Sequence, residues 1–356
     1  MMNDENLLYE PGSCEFNNNT WLAAYLYYAE PWERFLVEAV QPFIRRVLDN
    51  KQAGHYFFIR YWERGSHIRL RFKGDPSRME AEIKPLLDSY FYDYFKQNPS
   101  ERKDPEYIKN LPEEHRWFPN NTLQYIPYEP EVERYGGPTG IIIAEEQFRV
   151  SSDAVLAVIE ESENWDYDRA LGAAIQLHLG FAFAMGMDLT ETTAFYSHIS
   201  RVWFARSYGY EENIPEEELK KRQEITWKAF KENFDKQKET LVPYHETLWN
   251  AFTEGIEFEQ EWLNRWLTDM AKIRDRLKKV QAEGKLIIPG WFNPQAVGNI
   301  PEANRQLWAI LESYVHMTNN RLGILNRDEA FLGYLIKESL GLIGNRQQAI
   351  GNIKKP

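Results

Sequence analysis

Residues Ser66 to Gly74, Ser-His-Ile-Arg-Leu-Arg-Phe-Lys-Gly, alternate between apolar and polar or basic side chains. Side chains of an extended strand point alternately to its two faces, so Ile68, Leu70 and Phe72 share one face and His67, Arg69 and Arg71 share the other. The apolar face anchors the strand on a core, and the basic face collects positive charge on a stiff surface. Neither guanidinium sheds its charge by deprotonation. Placed one above the other they repel unless carboxylates or an anionic ligand answers them. Two readings stay open from this stretch: an anion site, or a solvated sheet face with ordinary salt bridges.

The sequence around this strand predicts a sheet with helices. Thr20 to Ala29 and His55 to Trp62 read as strands, and Glu63-Arg64-Gly65-Ser66 is short enough for a hairpin loop. A helix is predicted from Pro31 to about Asn50, kinked at Pro42; a second runs to about Gln97, with Asp75 as cap and Pro76 in its first turn. Asn98 to Asn121 has the composition of a surface insertion. Thr122 to Tyr128 is a further strand, followed by a loop that ends in Gly136-Gly137. After about residue 145 the periodicity becomes helical, through to a last helix at Glu329 to Leu340. The expected fold class is α+β: a mixed β-sheet with flanking helices, then a larger helical part. The expected divisions are a polar arm over 1–19, an α/β part over 20–145, a helical part over 146–343 and a loose tail over 344–356, with 20–343 as one functional unit.

Composition limits the function classes. A formal charge of −12 argues against broad binding to nucleic acid or to an anionic membrane. Cys14 is the only cysteine, which excludes an internal disulfide and a multi-cysteine zinc site and fits a reducing cytoplasm. Met1 to Glu15 is polar and reads as no signal peptide. Ala170 to Met187, the most apolar run, is short for a membrane span and interrupted by Gln176 and His178; it reads as a buried helix. Aromatic residues reach 15%, with 12 Trp, as a core of large side chains and a peptide-accepting groove would require.

Several chemistries lack their residues. There is no His-Glu-x-x-His pair, no Gly-Lys-Ser/Thr phosphate loop and no Gly-x-Ser-x-Gly elbow. The seven histidines show no metal-ligand spacing, so neither a metal nor another cofactor is expected. His316 stands out, because Glu312, His316 and Asn320 fall on one face of a predicted helix. Such an imidazole is either a proton acceptor near neutral pH or a core histidine satisfied by hydrogen bonds. Arg134, with Glu131 and Glu133 beside it, is either a loop clamp or a ligand contact.

Taken together, Phe57-Phe58-Ile59-Arg60-Tyr61, His67-Ile68-Arg69-Leu70-Arg71-Phe72, Pro130-Glu131-Val132-Glu133-Arg134-Tyr135-Gly136-Gly137 and Val315-His316-Met317-x-x-Asn320-Arg321-Leu322 resemble one family. It is the thiopeptide-type bacteriocin biosynthesis domain, also the carboxy-terminal elimination domain of class I lanthipeptide dehydratases. The resemblance spans about residues 20 to 340. It implies removal of glutamate from a glutamylated Ser or Thr of a precursor peptide, giving dehydroalanine or dehydrobutyrine. By the same resemblance the family's arginine pair falls on Arg69 and Arg71, its loop arginine on Arg134, a nearby acidic residue on Glu131 and its histidine on His316. His67 joins Glu131 as a substrate-binding candidate.

A glutamyl ester departs as a carboxylate whose conjugate acid has a pKa of about 4.3 if it behaves like a Glu side chain. Arginine forks suit its carboxylates, and a base must take the α-proton. The resemblance implies a separate tRNA-dependent glutamylation enzyme as partner, no direct nucleic acid contact by this acidic chain, and a homodimer whose interface no residue specifies. Two rival readings accompany it. A thiopeptide pyridine synthase joins two dehydroalanines and expels the leader peptide, and a non-catalytic subunit merely holds the precursor.

Overall fold

The hairpin predicted around Glu63 to Ser66 is present and forms one side of the amino-terminal sheet, its first strand at the edge. The computed structural model describes residues 20–208, 214–292 and 297–353, so the expected arm over 1–19 lies outside them. The chain divides into two compact units between Glu129 and Pro130.

In the first unit β1 (Thr20–Tyr27), β2 (His55–Tyr61), β3 (His67–Gly74) and β4 (Thr122–Tyr125) form one sheet in the order β2-β3-β1-β4. Helices cross over between β1 and β2 and between β3 and β4, a split β-α-β arrangement. Each crossover returns the chain two positions away from where it left, and the one strand between runs the opposite way. Every adjacent pair is therefore antiparallel, where a mixed sheet was expected.

Both crossover helices contain a π-turn just ahead of a proline. The first consists of α1 (Glu33–Phe35), a π-turn at Leu36–Val40 and α2 (Gln41–Asp49), which carries Pro42. The second consists of α3 (Pro76–Arg78), a π-turn at Met79–Ile83 and α4 (Lys84–Gln97), which carries Pro85. Proline has no N–H, and its ring crowds the carbonyl four residues back. The wider π-turn absorbs that clash, so the kink expected at Pro42 takes this form. Asp75 accepts from the backbone N–H of Arg78 and caps the second helix.

Even-numbered residues of β1 and β3 face these helices. Leu26, Ala24, Ile68, Leu70 and Phe72 are fully buried, and Phe72 meets Phe43 of α2 edge-on. Each such Leu, Ile or Phe contributes roughly 1.5–3 kcal/mol by leaving water. The apolar half of the basic strand thus anchors it as its alternation predicts.

The second unit is helical: α5 (Gly137–Glu161), α6 (Tyr167–Ala184), α7 (Leu189–Tyr208), α8 (Glu216–Glu254), α9 (Glu261–Ala282), α10 (Glu302–Leu322) and α11 (Asn326–Ile353). Helix begins at Gly137 rather than near residue 145, with Pro138 in its first turn. The last helix continues to Ile353, where a loose tail from 344 was expected. Gly341 and Gly344 weaken it by about 1 kcal/mol each, and packing on α7 and α8 outweighs them. The apolar run at Ala170 lies in buried α6, and no helix among the described residues is long and apolar enough to cross a membrane.

Candidate active site

The odd-numbered face of the sheet is an aromatic cage around the basic stripe. Strand register places Tyr25 and Ile59 beside Arg69, and Ala23 and Phe57 beside Arg71. The Arg69 guanidinium lies 3.4 Å from the Tyr61 ring centre and 4.6 Å from that of Tyr25. Arg71 lies 4.2 Å from Tyr128 and 5.1 Å from Phe57. Aromatic faces attract cations, so the stripe stays charged while being covered. His67 is fully buried, Arg71 is 7% exposed and the Arg69 side chain 14%. A solvated sheet face is thereby ruled out.

The two arginines are answered unequally. Arg69 donates from Nη2 to Glu63 at 3.3 Å, a partner whose own side chain is 68% exposed. Arg71 forms no ion pair among the described residues, and its buried Nε has no hydrogen-bond partner there. Burial presses its pKa downward and the phenols of Tyr25 and Tyr128 oppose that, but an arginine remains protonated. A buried cation without a carboxylate is costly and suits an anionic ligand.

In the second unit His316 lies on α10. Its Nδ1 is 2.8 Å from Oε1 of Glu329, the first-turn acid of α11, whose side chain is fully buried. Glu329 also accepts from Asn319 Nδ2 at 3.1 Å, and Asn319 Oδ1 accepts from His178 Nε2 at 2.8 Å. Burial pulls the His178 pKa down to about 4, so this ring is neutral at pH 7. With Glu329 ionised, His316 carries its proton on Nδ1. Its Nε2 makes no hydrogen bond among the described residues, and a fifth of the side chain is exposed.

The partner expected from helical spacing is engaged elsewhere. Glu312, one turn before His316, pairs with His198 Nε2 at 2.8 Å and Arg206 Nη2 at 3.2 Å. Glu329 was not singled out in the sequence. The available signal was the short turn Gly323–Leu325, because an α-helical hairpin brings residues on either side of its turn together.

Arg134 sits in the loop before α5. Its Nε donates to Ser313 Oγ at 3.0 Å and its Nη1 to Glu131 at 3.2 Å. Ser313 and His316 are three apart on α10 and share a face, so Arg134 is tied down within one helical turn of the imidazole. Glu131, 60% exposed, clamps the arginine from outside. His67, by contrast, has both ring nitrogens occupied, by the Gly65 carbonyl and by Arg69.

The sequence matches the family described as lantibiotic biosynthesis dehydratase, C-terminal, over residues 21–340. The chain belongs to this family. Among solved structures the fold is similar to the pyridine synthase TbtD from thiomuracin biosynthesis, with a TM-score of 0.66 and 17% identity, covering 90% of this chain and 97% of that one. It is also similar to TsrL, with a TM-score of 0.60, 18% identity and coverage of 90% and 94%. The tRNA-dependent lantibiotic dehydratase MibB from Microbispora sp. 107891 matches with a TM-score of 0.59 and 18% identity, over 96% of this chain but 29% of that one. No curated protein matches the sequence. Membership in this family places the chain in lantibiotic biosynthesis, and the likeness to the three solved structures is one of fold.

Proposed function

We propose that this chain removes glutamate from glutamylated Ser or Thr residues of a precursor peptide, leaving dehydroalanine or dehydrobutyrine. The observation that carries the reading is the couple between His316 Nδ1 and the buried Glu329 carboxylate, which presents Nε2 as a free lone pair. Nε2 takes the proton from the α-carbon, the C–H electron pair becomes the Cα–Cβ double bond, and the Cβ–O bond breaks. Glutamate leaves as a carboxylate and needs no proton from the enzyme. The imidazolium that forms is neutralised by Glu329. Arg134 faces the negative charge that develops on the peptide, and Arg69 and Arg71 hold carboxylate groups of the glutamyl unit. Glu131 sets the angle of Arg134. A separate tRNA-dependent enzyme in the cytoplasm supplies the ester, and the acidic chain itself does not touch nucleic acid.

One observation favours a second reading within the family. TbtD, a pyridine synthase, is matched over 97% of its length. The deciding experiment incubates the purified chain with a synthetic peptide bearing a glutamyl ester on Ser, and in parallel with a leader-bearing peptide containing two dehydroalanines. Loss of one glutamic acid in mass from the first supports elimination. Ring formation with leader release from the second, and a stable ester in the first, establishes the cyclase. Binding of both without chemistry leaves a precursor-holding subunit.

A further inference from the structure

We infer that His67 is a positioning residue for Arg69, and that the segment 98–121 braces the turn which fixes its tautomer. The inference rests on the elimination reading for the role of Arg69, while the geometry behind it is independent of that reading. His67 Nδ1 lies 2.7 Å from the Gly65 carbonyl, which can only accept, so Nδ1 carries the hydrogen. Nε2 is then a bare lone pair, and Arg69 Nε donates to it at 3.1 Å. The ring is 0% exposed, stacked on Tyr25 and tilted against Tyr27, so a ligand does not reach it. An imidazolium here would set a second cation against Arg69. Burial prevents it, holding the His67 pKa near 4.

The Gly65 carbonyl is aimed by an unusual turn. Arg64 and Gly65 have φ of +59° and +106°, left-handed values that are held from outside. Arg64 O accepts from Phe118 N at 3.0 Å, and the Arg64 side chain donates to the Arg116 and Glu113 carbonyls at 2.9 and 3.0 Å. Arg102 donates to Phe118 O at 2.6 Å and fills the space beside Gly65. Phe118 in turn packs on Tyr27, which packs on His67. The insertion expected at the surface is therefore the outer member of a chain that runs through the turn and His67 to Arg69.

The test combines nitrogen-15 NMR of the wild-type chain with two variants. Expected are a His67 ring protonated on Nδ1 and bare at Nε2 from pH 5 to 8, and a slowly exchanging Arg69 Nε–H. His67→Phe keeps a flat ring without an acceptor; it should lose the slow exchange and about tenfold or more in kcat/KM for the glutamylated peptide. His67→Gln restores an acceptor and should recover most of both. An Nε2–H tautomer in the wild type, or a folded His67→Phe with unchanged Arg69 exchange, overturns the inference. Should His67→Phe not fold, the wild-type tautomer and the Arg69 exchange in Arg64→Ala decide it. A wild-type chain that performs no elimination sinks the elimination reading alone, since the NMR readouts do not depend on turnover.

Discussion

The indole of Trp203 lies flat on the imidazole of His316, with ring centres 4.0 Å apart and planes 18° from parallel. The stack dries one face of the imidazole and resists its rotation. Under the proposed elimination it also favours the imidazolium that His316 would form on taking a proton, because an aromatic face attracts a cation. Replacing Trp203 by Leu should lower kcat by about 2- to 30-fold with little change in KM, as the loss of roughly 0.5–2 kcal/mol of such attraction would give. Trp203→Phe should keep most of the rate. Equal kcat in wild type and Leu variant would show that the indole is packing only.

Glu329→Gln probes the other side of the same ring. An amide can donate to Nδ1, which reverses the tautomer and places the hydrogen on Nε2, where the lone pair is needed. Steady-state kinetics should show kcat reduced about 10²- to 10⁴-fold, the range that general-base catalysis commands, with the fold retained. A variant with wild-type kcat would remove Glu329 from the proton-transfer scheme.

Ser313→Ala cuts the hydrogen bond that holds Arg134 Nε. Arg134 is part-exposed, so the loss is about 1 kcal/mol, seen as a roughly fivefold rise in KM or fall in kcat. Glu131 still holds Nη1, and Ser313→Ala combined with Glu131→Gln should cost more than either alone. Isothermal titration with a glutamylated, non-eliminating peptide analogue measures this directly. A double variant that binds the analogue as tightly as wild type would mean that Arg134 does not depend on these clamps.

His67, His178 and His245 are buried, and burial holds each pKa near 4, below the 6.5 of an unfolded histidine. The unfolded chain therefore binds more protons between these values. Stability is full above pH 6.5 and falls as pH drops toward 4. Each contributes on the order of 3 kcal/mol across that window, a large part of the stability of about 5–15 kcal/mol typical of a domain. Guanidinium melts at pH 7 and pH 5 should show a large drop in midpoint. His245→Leu should remove about a third of that drop, and loss of the neutral ring leaves no bonded partner behind, because neither nitrogen of His245 has a hydrogen-bond partner among the described residues. Identical midpoints at the two pH values would contradict the burial of these rings as neutral groups.

The parts legible from sequence are those set by local periodicity. The alternation in Ser66 to Gly74 correctly put Ile68, Leu70 and Phe72 in the core, and the helices of the second unit follow their patterns closely. The aromatic cage was not legible, because Tyr25, Phe57 and Tyr61 reach Arg69 and Arg71 only through the strand order β2-β3-β1 and its register. Nor was the partner of His316. Helical spacing offers Glu312, and choosing Glu329 instead requires knowing how α10 and α11 fold back on each other. The role of 98–121 was hidden for a similar reason: Arg64 meets Glu113 and Arg116 across some fifty residues of chain.

Gly333 lies one turn beyond Glu329 on α11, and a Cβ built there would sit 3.0 Å from the backbone N of Ser200 and 3.1 Å from the backbone O of Tyr196. Ser200, three residues before Trp203, also donates from Oγ to the Ala330 carbonyl at 2.8 Å. Helix α11 is thus registered against α7 main chain to main chain, with no side chain as spacer. The place of the Glu329 carboxylate beside His316 is consequently a property of the scaffold. Under the proposed elimination, the surrounding side chains could be exchanged for a different peptide while the His316–Glu329 couple keeps its alignment, so substrate range and reactivity would be tuned separately.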